Sequence, residues 1–159
     1  MTAREPTARR TGRPSPTDAL GATSVVAGGL VAVVTGPLQL AHGSWAAAYL
    51  VLINGVAQVA LGNAQAALAP RAPSRHVLAT QVAAWNVGGA AVIGGTLVRV
   101  PLIVDVGGLL LVIALGLMIR TVRGRTVAPG WALWTYRLLL VIVLVSIPIG
   151  LVLAHIRAA

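Results

Sequence analysis

Five long runs of apolar residues, separated by short polar or proline-containing breaks, dominate the hydrophobic pattern of the chain. A helix that crosses a bilayer needs about 20 mainly apolar residues, and every run reaches or approaches that length. We therefore predict five transmembrane helices, over residues 20–41, 45–69, 76–98, 101–119 and 131–155. The predicted fold class is all-α, a polytopic integral membrane helical bundle over residues 20–156. A disordered tail over residues 1–19 precedes it, and a short tail over residues 157–159 follows.

The breaks between the runs contain residues that end or begin helices. Pro70 closes the second run, and a short segment with Arg99 and Pro101 divides residues 76–119. As one helix, that stretch would be about twice the length that a bilayer requires. Proline is favoured at the first position of a helix, so we expect the fourth span to begin at Pro101.

Composition favours a bilayer rather than water as the solvent of this chain. Hydrophobic residues make up 57% of the 159 residues, charged residues only 9%, and the mean hydropathy is +0.88. Soluble domains carry about 25% charged residues, and a fold this small cannot hide so much apolar surface from water. The chain contains no cysteine, which excludes disulfides, cysteine nucleophiles and cysteine-ligated iron–sulfur or zinc sites within it.

The arginines predict how the bundle is oriented. With five spans and the N-terminus inside, ten of the twelve arginines face the cytoplasm: Arg4, Arg9, Arg10, Arg13, Arg71, Arg75, Arg120, Arg123, Arg125 and Arg137. Arg99 and Arg157 remain outside, which is a strong positive-inside bias. Because the arginines lie between apolar runs and form no single basic face, no nucleic-acid partner is expected. Trp131, Trp134 and Tyr136 are expected to form an aromatic belt at the inner membrane surface.

Polar side chains inside the predicted spans are candidates for a functional site, because they are costly in hydrocarbon and usually face other helices or a cavity. The residues expected in the bundle interior are Asn54, Gln58, Gln65, Gln81, Asn86 and Asp105. The first three fall within about 40° of one another on the second helix. These residues either line a polar cavity or form interhelical hydrogen bonds of about 0.6 kcal/mol each. We favour hydrogen bonding, and for Asp105 a helix-terminal position that the dipole stabilises.

Small residues form a stripe on the third helix, at Ala84, Gly88, Ala91 and Gly95, over about 60° of its surface. Small residues let helices approach closely, so we predict a helix-packing seam. Its partner is either another helix of this chain or a second subunit.

Histidines at helix ends suggest a cofactor site. His42 ends the first predicted helix and His155 the fifth, so both fall at the outer surface. Two imidazoles on facing helices can bind haem or a metal, and Arg99 nearby can hold a propionate or another anion. Alternatively, each group anchors its helix end at the lipid headgroups. A ligand site, if the protein has one, is predicted to open on this extracytoplasmic side.

Two stretches carry a general resemblance, HGSWAAAYLVLINGVAQVALG from residue 42 and AWNVGGAAVIGGT from residue 84. In these stretches and in its arginine-rich tail the chain resembles small uncharacterised multi-pass membrane proteins of high-GC Gram-positive bacteria. The resemblance implies a bacterial plasma membrane and no transferable activity. A looser resemblance to haem-binding respiratory membrane subunits rests on the helix-end histidines.

Three functional hypotheses follow, and no catalytic motif is present to suggest an enzyme. The first is a non-catalytic membrane subunit or scaffold that packs against partners, as a homo-oligomer or with other membrane subunits. The second is a haem- or metal-binding electron-transfer or sensor protein that uses His42 and His155. The third is a small oligomeric transporter in which Asn54, Gln58, Gln81 and Asp105 line a path. We favour the first because it requires the fewest coincidences.

Overall fold

The computed structural model describes residues 15–122 and 130–158, and within the last helix it does not describe the side chains of residues 151, 153–155, 157 and 158. Five helices in this part of the chain are long and apolar enough to cross a membrane. They are α1 (Pro16–Thr35), α2 (Gly43–Leu68), α3 (Arg75–Leu97), α4 (Pro101–Val122) and α5 (Gly130–Ala158). The predicted all-α bundle with five spanning helices is confirmed.

The first helix is displaced toward the N-terminus relative to its predicted range of 20–41. It begins at Pro16 because Ser15 caps it: the Asp18 amide donates to the Ser15 hydroxyl (3.2 Å), and the Ser15 amide donates to the Asp18 carboxylate (3.3 Å). This capping box satisfies amides that the first helical turn leaves unpaired. The helix ends at Thr35, and Gly36 after it still has helical backbone angles. Pro37 then has no amide hydrogen with which to continue the helical hydrogen bonds.

The remaining helices match their predicted ranges at most ends. α4 continues to Val122 rather than stopping at residue 119, and α5 continues to Ala158 rather than residue 155. Residues 1–14 of the predicted tail and residues 123–129, between the fourth and fifth predicted helices, lie outside the described residues.

The middle of α2 is a π-helical segment, Leu50–Ala57. A π-helix places an extra residue in each turn, so the face that α2 turns inward shifts along the sequence. The inward residues are first spaced at i and i+4, at Trp45, Tyr49 and Ile53, and the last of these lies within the segment. Asn54, also within the segment, and Gln58, the first residue after it, are buried. The π-helical segment thus carries α2 from an aromatic and aliphatic face to a polar one.

Close backbone contact joins α3 to α4. A Cβ at Gly88 would lie 2.9 Å from the carbonyl oxygen of Gly107, and a Cβ at Gly107 would lie 2.7 Å from that of Gly88. Such distances leave no room for a side chain on either residue. The same holds at Gly95, where a Cβ would lie 2.8 Å from the amide nitrogen of Val104. The partner of the small-residue stripe is therefore α4 of the same chain, with Ala84 buried and Ala91 half-buried beside it.

The buried core lies between α2, α3, α4 and α5. Its largest members include Trp85, Leu61, Leu111 and Leu115. α1 packs chiefly against α2 and stands at the edge of the bundle, and only 17% of its span is buried. Most other apolar side chains point outward, as expected of helices that a bilayer surrounds.

Candidate functional site

A cavity of about 590 Å³ lies between α2, α3, α4 and α5, at the end of the bundle that holds the α1–α2 and α3–α4 turns. We call this cavity the pocket. Ligand sites in proteins have volumes of about 300–1,000 Å³, so its size suits a small organic molecule. The pocket extends along the helices to Leu111, which lies about 15 Å beyond Pro101 along α4 at the usual helical rise.

Most of the pocket wall is apolar. The aliphatic lining comes from all four helices and includes Ile53, Val92, Val104, Leu111, Val143 and Ile147. Trp45 and Tyr49 add an aromatic wall on α2, with ring centroids 5.5 Å apart and planes at 38°. Their i, i+4 spacing places the two rings on one face of the helix. This lining accommodates an apolar chain or a flat ring.

Polar groups line the end of the pocket nearest the turns. His42 and Arg99 both contribute to the wall there, the first half-buried and the second exposed. Two aliphatic hydroxyls add to the polar lining: Thr96 donates to the Val92 carbonyl (2.7 Å) and Ser146 to the Val143 carbonyl (2.7 Å). Each hydroxyl oxygen can still accept a hydrogen bond. The pocket therefore combines a cationic end with an apolar interior.

Arg99 occupies an unusual backbone position. Its φ of 56° lies in the left-handed region, where a residue other than glycine costs about 1–2 kcal/mol. The Val100 amide donates to the Gly95 carbonyl (2.9 Å), and the Arg99 amide donates to that of Thr96 (3.4 Å). This pair of bonds is the Schellman motif, in which glycine usually holds the left-handed position. Here an arginine holds it, at the edge of the pocket.

The α1–α2 turn repeats the arrangement. Leu40 donates to the Thr35 carbonyl (3.1 Å) and Gln39 to that of Gly36 (3.1 Å), with Gln39 at φ 47°. Among the described residues, Gln39 and Arg99 are the non-glycine residues with positive φ. Both strained turns lie at the pocket end of the bundle. Strain of this kind concentrates at functional sites.

The structure brings together two of the three residues of the predicted cofactor site. His42 and Arg99 share the pocket, whereas the side chain of His155 lies outside the described side chains, so the imidazole pair stays a prediction. Among the described residues, no group of three or more His, Asp or Glu side chains is placed to hold a metal. Asp105 is half-buried on α4, beside the pocket-lining Val104.

Other predicted polar residues lie toward the opposite end of the bundle. Gln65 donates to Gln81 (3.3 Å), and Gln81 donates to Thr121 (3.4 Å), which connects α2, α3 and α4. The Thr121 hydroxyl donates onward to the Leu117 carbonyl (2.8 Å). These bonds have the geometry of interhelical packing contacts. Asn86 is half-buried and donates to the Val82 carbonyl of its own helix (2.8 Å).

A third group of polar residues is buried further along the helices than the pocket. Asn54, Gln58, Trp85 and Tyr136 are all buried, with exposed fractions of 5%, 1%, 0% and 2%. We call them the polar layer. Each has at least one side-chain nitrogen or oxygen without a hydrogen-bond partner in the described part of the protein.

Tyr136 corrects one expectation from the sequence. It was expected in an aromatic belt with Trp131 and Trp134, which are indeed 73% and 71% exposed, but Tyr136 is buried in the core. The angular positions of the three residues around the helix could have distinguished Tyr136 from the two tryptophans. Trp131 and Trp134 lie about 60° apart around the helix, whereas Tyr136 is about 160° from Trp134. The pocket residues Tyr49, Thr96 and Ser146 carried no comparable signal.

A scan against protein-family models and searches of the curated proteins and of the solved structures found no match to this chain. Its class therefore rests on its own features. The chain has the architecture of a multi-pass helical membrane protein, with a ligand-sized pocket at one end of the bundle and a buried polar layer below it.

Proposed function

We propose that the protein binds an amphipathic anion in the pocket: a lipid-like molecule with an apolar chain and a phosphate or carboxylate head. The observation that carries the proposal is the single cavity wall that joins Arg99 and His42 at one end to aliphatic and aromatic side chains along the rest. A guanidinium binds phosphate and carboxylate well because its donors match their geometry. The apolar lining suits the chain of the same molecule.

The location of the pocket supports this ligand class. The turns at the ends of spanning helices lie at the headgroup level of a bilayer, and the helix interiors lie in the hydrocarbon. A lipid-like anion in the pocket would keep its charged head at the headgroup level and its apolar chain at the level of the hydrocarbon. A soluble polar substrate would leave most of the pocket wall without complementary contacts.

The protein is also proposed to reside in a bacterial plasma membrane with its N-terminus in the cytoplasm and its C-terminus outside. The ten-to-two arginine distribution supports this orientation. The α1–α2 and α3–α4 turns then face outward, so the pocket opens on the extracytoplasmic side. A scaffold role, as a homo-oligomer or with other membrane subunits, stays a prediction. The small-residue stripe no longer supports it, because α4 covers the stripe.

Thermal unfolding in detergent tests the ligand class. Dodecyl phosphate is the probe, and dodecanol is its uncharged control of equal chain length. A ligand present at 100 times its Kd stabilises the folded state by about 2.7 kcal/mol, so dodecyl phosphate should raise Tm by several degrees. We expect dodecanol to have a much smaller effect. Equal shifts with the two probes would show that the charge is not recognised.

Two arginine variants locate the binding site. Arg99→Gln should abolish the difference between the probes, whereas Arg137→Gln, an exposed arginine on α5 outside the pocket, should retain it. Equal losses in both variants would mean that the anion binds by general charge attraction. An absorption spectrum of the same purified protein tests the haem alternative, because a Soret band would show that the protein binds haem.

A further inference from the structure

The polar layer is a set of hydrogen-bonding groups that have no partner in the part of the protein that the structure describes. The unpartnered atoms are Asn54 Oδ1, Gln58 Oε1, Gln58 Nε2, Trp85 Nε1 and the Tyr136 hydroxyl. Both ends of the Gln58 amide are unpartnered, so turning the amide over exchanges two unsatisfied atoms for each other. The set contains donors and acceptors on three helices, α2, α3 and α5.

Contacts above and below place Gln58 and Trp85 at one level of the bundle. On one side, Asn54 packs against Gly89, where its side chain occupies the space that a Cβ would need. On the other side, Gln65 donates to Gln81 (3.3 Å). Gln58 lies between the two contacts on α2, and Trp85 lies between them on α3. Tyr136 belongs to the same buried cluster as Trp85.

Leaving these atoms unpaired is expensive. A buried polar group without a partner costs about 1–3 kcal/mol, and a bilayer supplies no water to the outside of the bundle. Native proteins satisfy such groups with internal water that makes 2–4 hydrogen bonds. The polar layer offers both donors and acceptors to such a molecule. Charged groups are absent from it, which disfavours an ion as the occupant.

The pocket and the polar layer adjoin along two helices. Ile53 lines the pocket, and Asn54 is the next residue of the same π-helical segment. On α5, Val143 lines the pocket, and Tyr136 lies about 10 Å further along that helix toward the other end. π-Helical segments are frequent at functional sites. Here the segment turns α2 from the wall of the pocket to the polar layer.

We propose that the polar layer is an internal hydration site, in which water reached through the pocket bridges Gln58, Trp85 and Tyr136. This site extends the pocket further into the bundle. It uses the pocket of the proposed function but does not require that the pocket ligand be an anion. If dodecyl phosphate fails to bind, the hydration site is therefore not contradicted, and the two measurements below test it separately.

The first measurement is the Tm of Tyr136→Phe, which removes only a hydroxyl. If water bridges the hydroxyl, the variant loses a hydrogen bond and its Tm falls by a few degrees. If the layer is dry, the variant removes an unsatisfied buried group and its Tm stays the same or rises, which would overturn the proposal. Thr135→Val is the neighbouring control, because the Thr135 hydroxyl is exposed and bonds to its own helix (3.0 Å).

The second measurement uses the absence of cysteine from the chain. Gln58→Cys places a thiol in the layer, and Leu61→Cys places one about a turn deeper, where Leu61 is 0% exposed in the apolar core. Methyl methanethiosulfonate is the probe, and mass spectrometry gives the rate of labelling. A thiol reacts as its thiolate, which forms only where water is present. We expect Gln58→Cys to react at least about tenfold faster; equal or slower labelling would overturn the proposal.

Discussion

The two ends of the bundle use polar residues in different ways. At the end opposite the pocket, Gln65, Gln81 and Thr121 bond to one another and join three helices. At the pocket end, His42 and Arg99 line a cavity, and the nearby backbone holds Arg99 in a strained conformation. The polar residues of one end satisfy each other, whereas those of the other end are directed toward a cavity. A polar side chain in a membrane span can therefore serve packing or binding, and only its partners distinguish the two roles.

The contrast between the two ends depends most on the side of the membrane that each one faces. The pocket end is expected outside and the other end in the cytoplasm. Ser44 is exposed at the pocket end, and Ala72 is exposed at the other end. With cysteine placed at either position, a membrane-impermeant thiol reagent added to intact cells should label Ser44→Cys and not Ala72→Cys. Permeabilised cells, in which both variants should label, provide the control. The reverse pattern would place the pocket on the cytoplasmic side.

Packing between α3 and α4 should have the largest effect on stability. Gly88→Ala inserts a methyl group 2.9 Å from a backbone carbonyl, and overpacking of this kind costs about 1–3 kcal/mol. Gly94 lies on the same helix with open space around its Cβ position, so Gly94→Ala should be neutral or stabilising by up to about 1 kcal/mol. Thermal melts in detergent compare the two. Equal effects would contradict close α3–α4 contact at Gly88.

The strained turns give a smaller and more specific prediction. Arg99→Gly and Gln39→Gly each relieve a left-handed residue and should raise the free energy of unfolding by up to about 1 kcal/mol. Only Arg99→Gly should also lose the Tm shift with dodecyl phosphate, because Gln39 is not part of the pocket wall. Loss of the shift in both variants would indicate that turn geometry, rather than the Arg99 guanidinium, governs binding.

The spanning helices were predictable because each needs only a long apolar run, and proline and arginine mark the breaks. The buried face of α2 was predictable in the same way, since Asn54, Gln58 and Gln65 share one side of a regular helix. The sequence did not reveal the π-helical segment between Leu50 and Ala57. No proline or other single residue identifies a π-helix, and packing against the other helices determines where one forms.

The pocket was partly predictable. His42 and Arg99 were expected at one surface because both flank turns on the same side, and the pocket wall includes both. Its apolar lining comes from side chains on four helices, whose lateral positions a sequence pattern does not fix. The left-handed backbone conformation of Arg99 could not be predicted either, because sequence rules expect glycine at that position of a helix end.

The central claim is that Arg99 and the pocket bind an amphipathic anion. Native mass spectrometry of the detergent-solubilised protein with dodecyl phosphate tests it most directly, because it counts bound molecules. The account predicts one bound dodecyl phosphate per chain, lost in Arg99→Gln and retained in Arg137→Gln. Binding of several molecules with no preference, or binding that Arg99→Gln leaves unchanged, would contradict it.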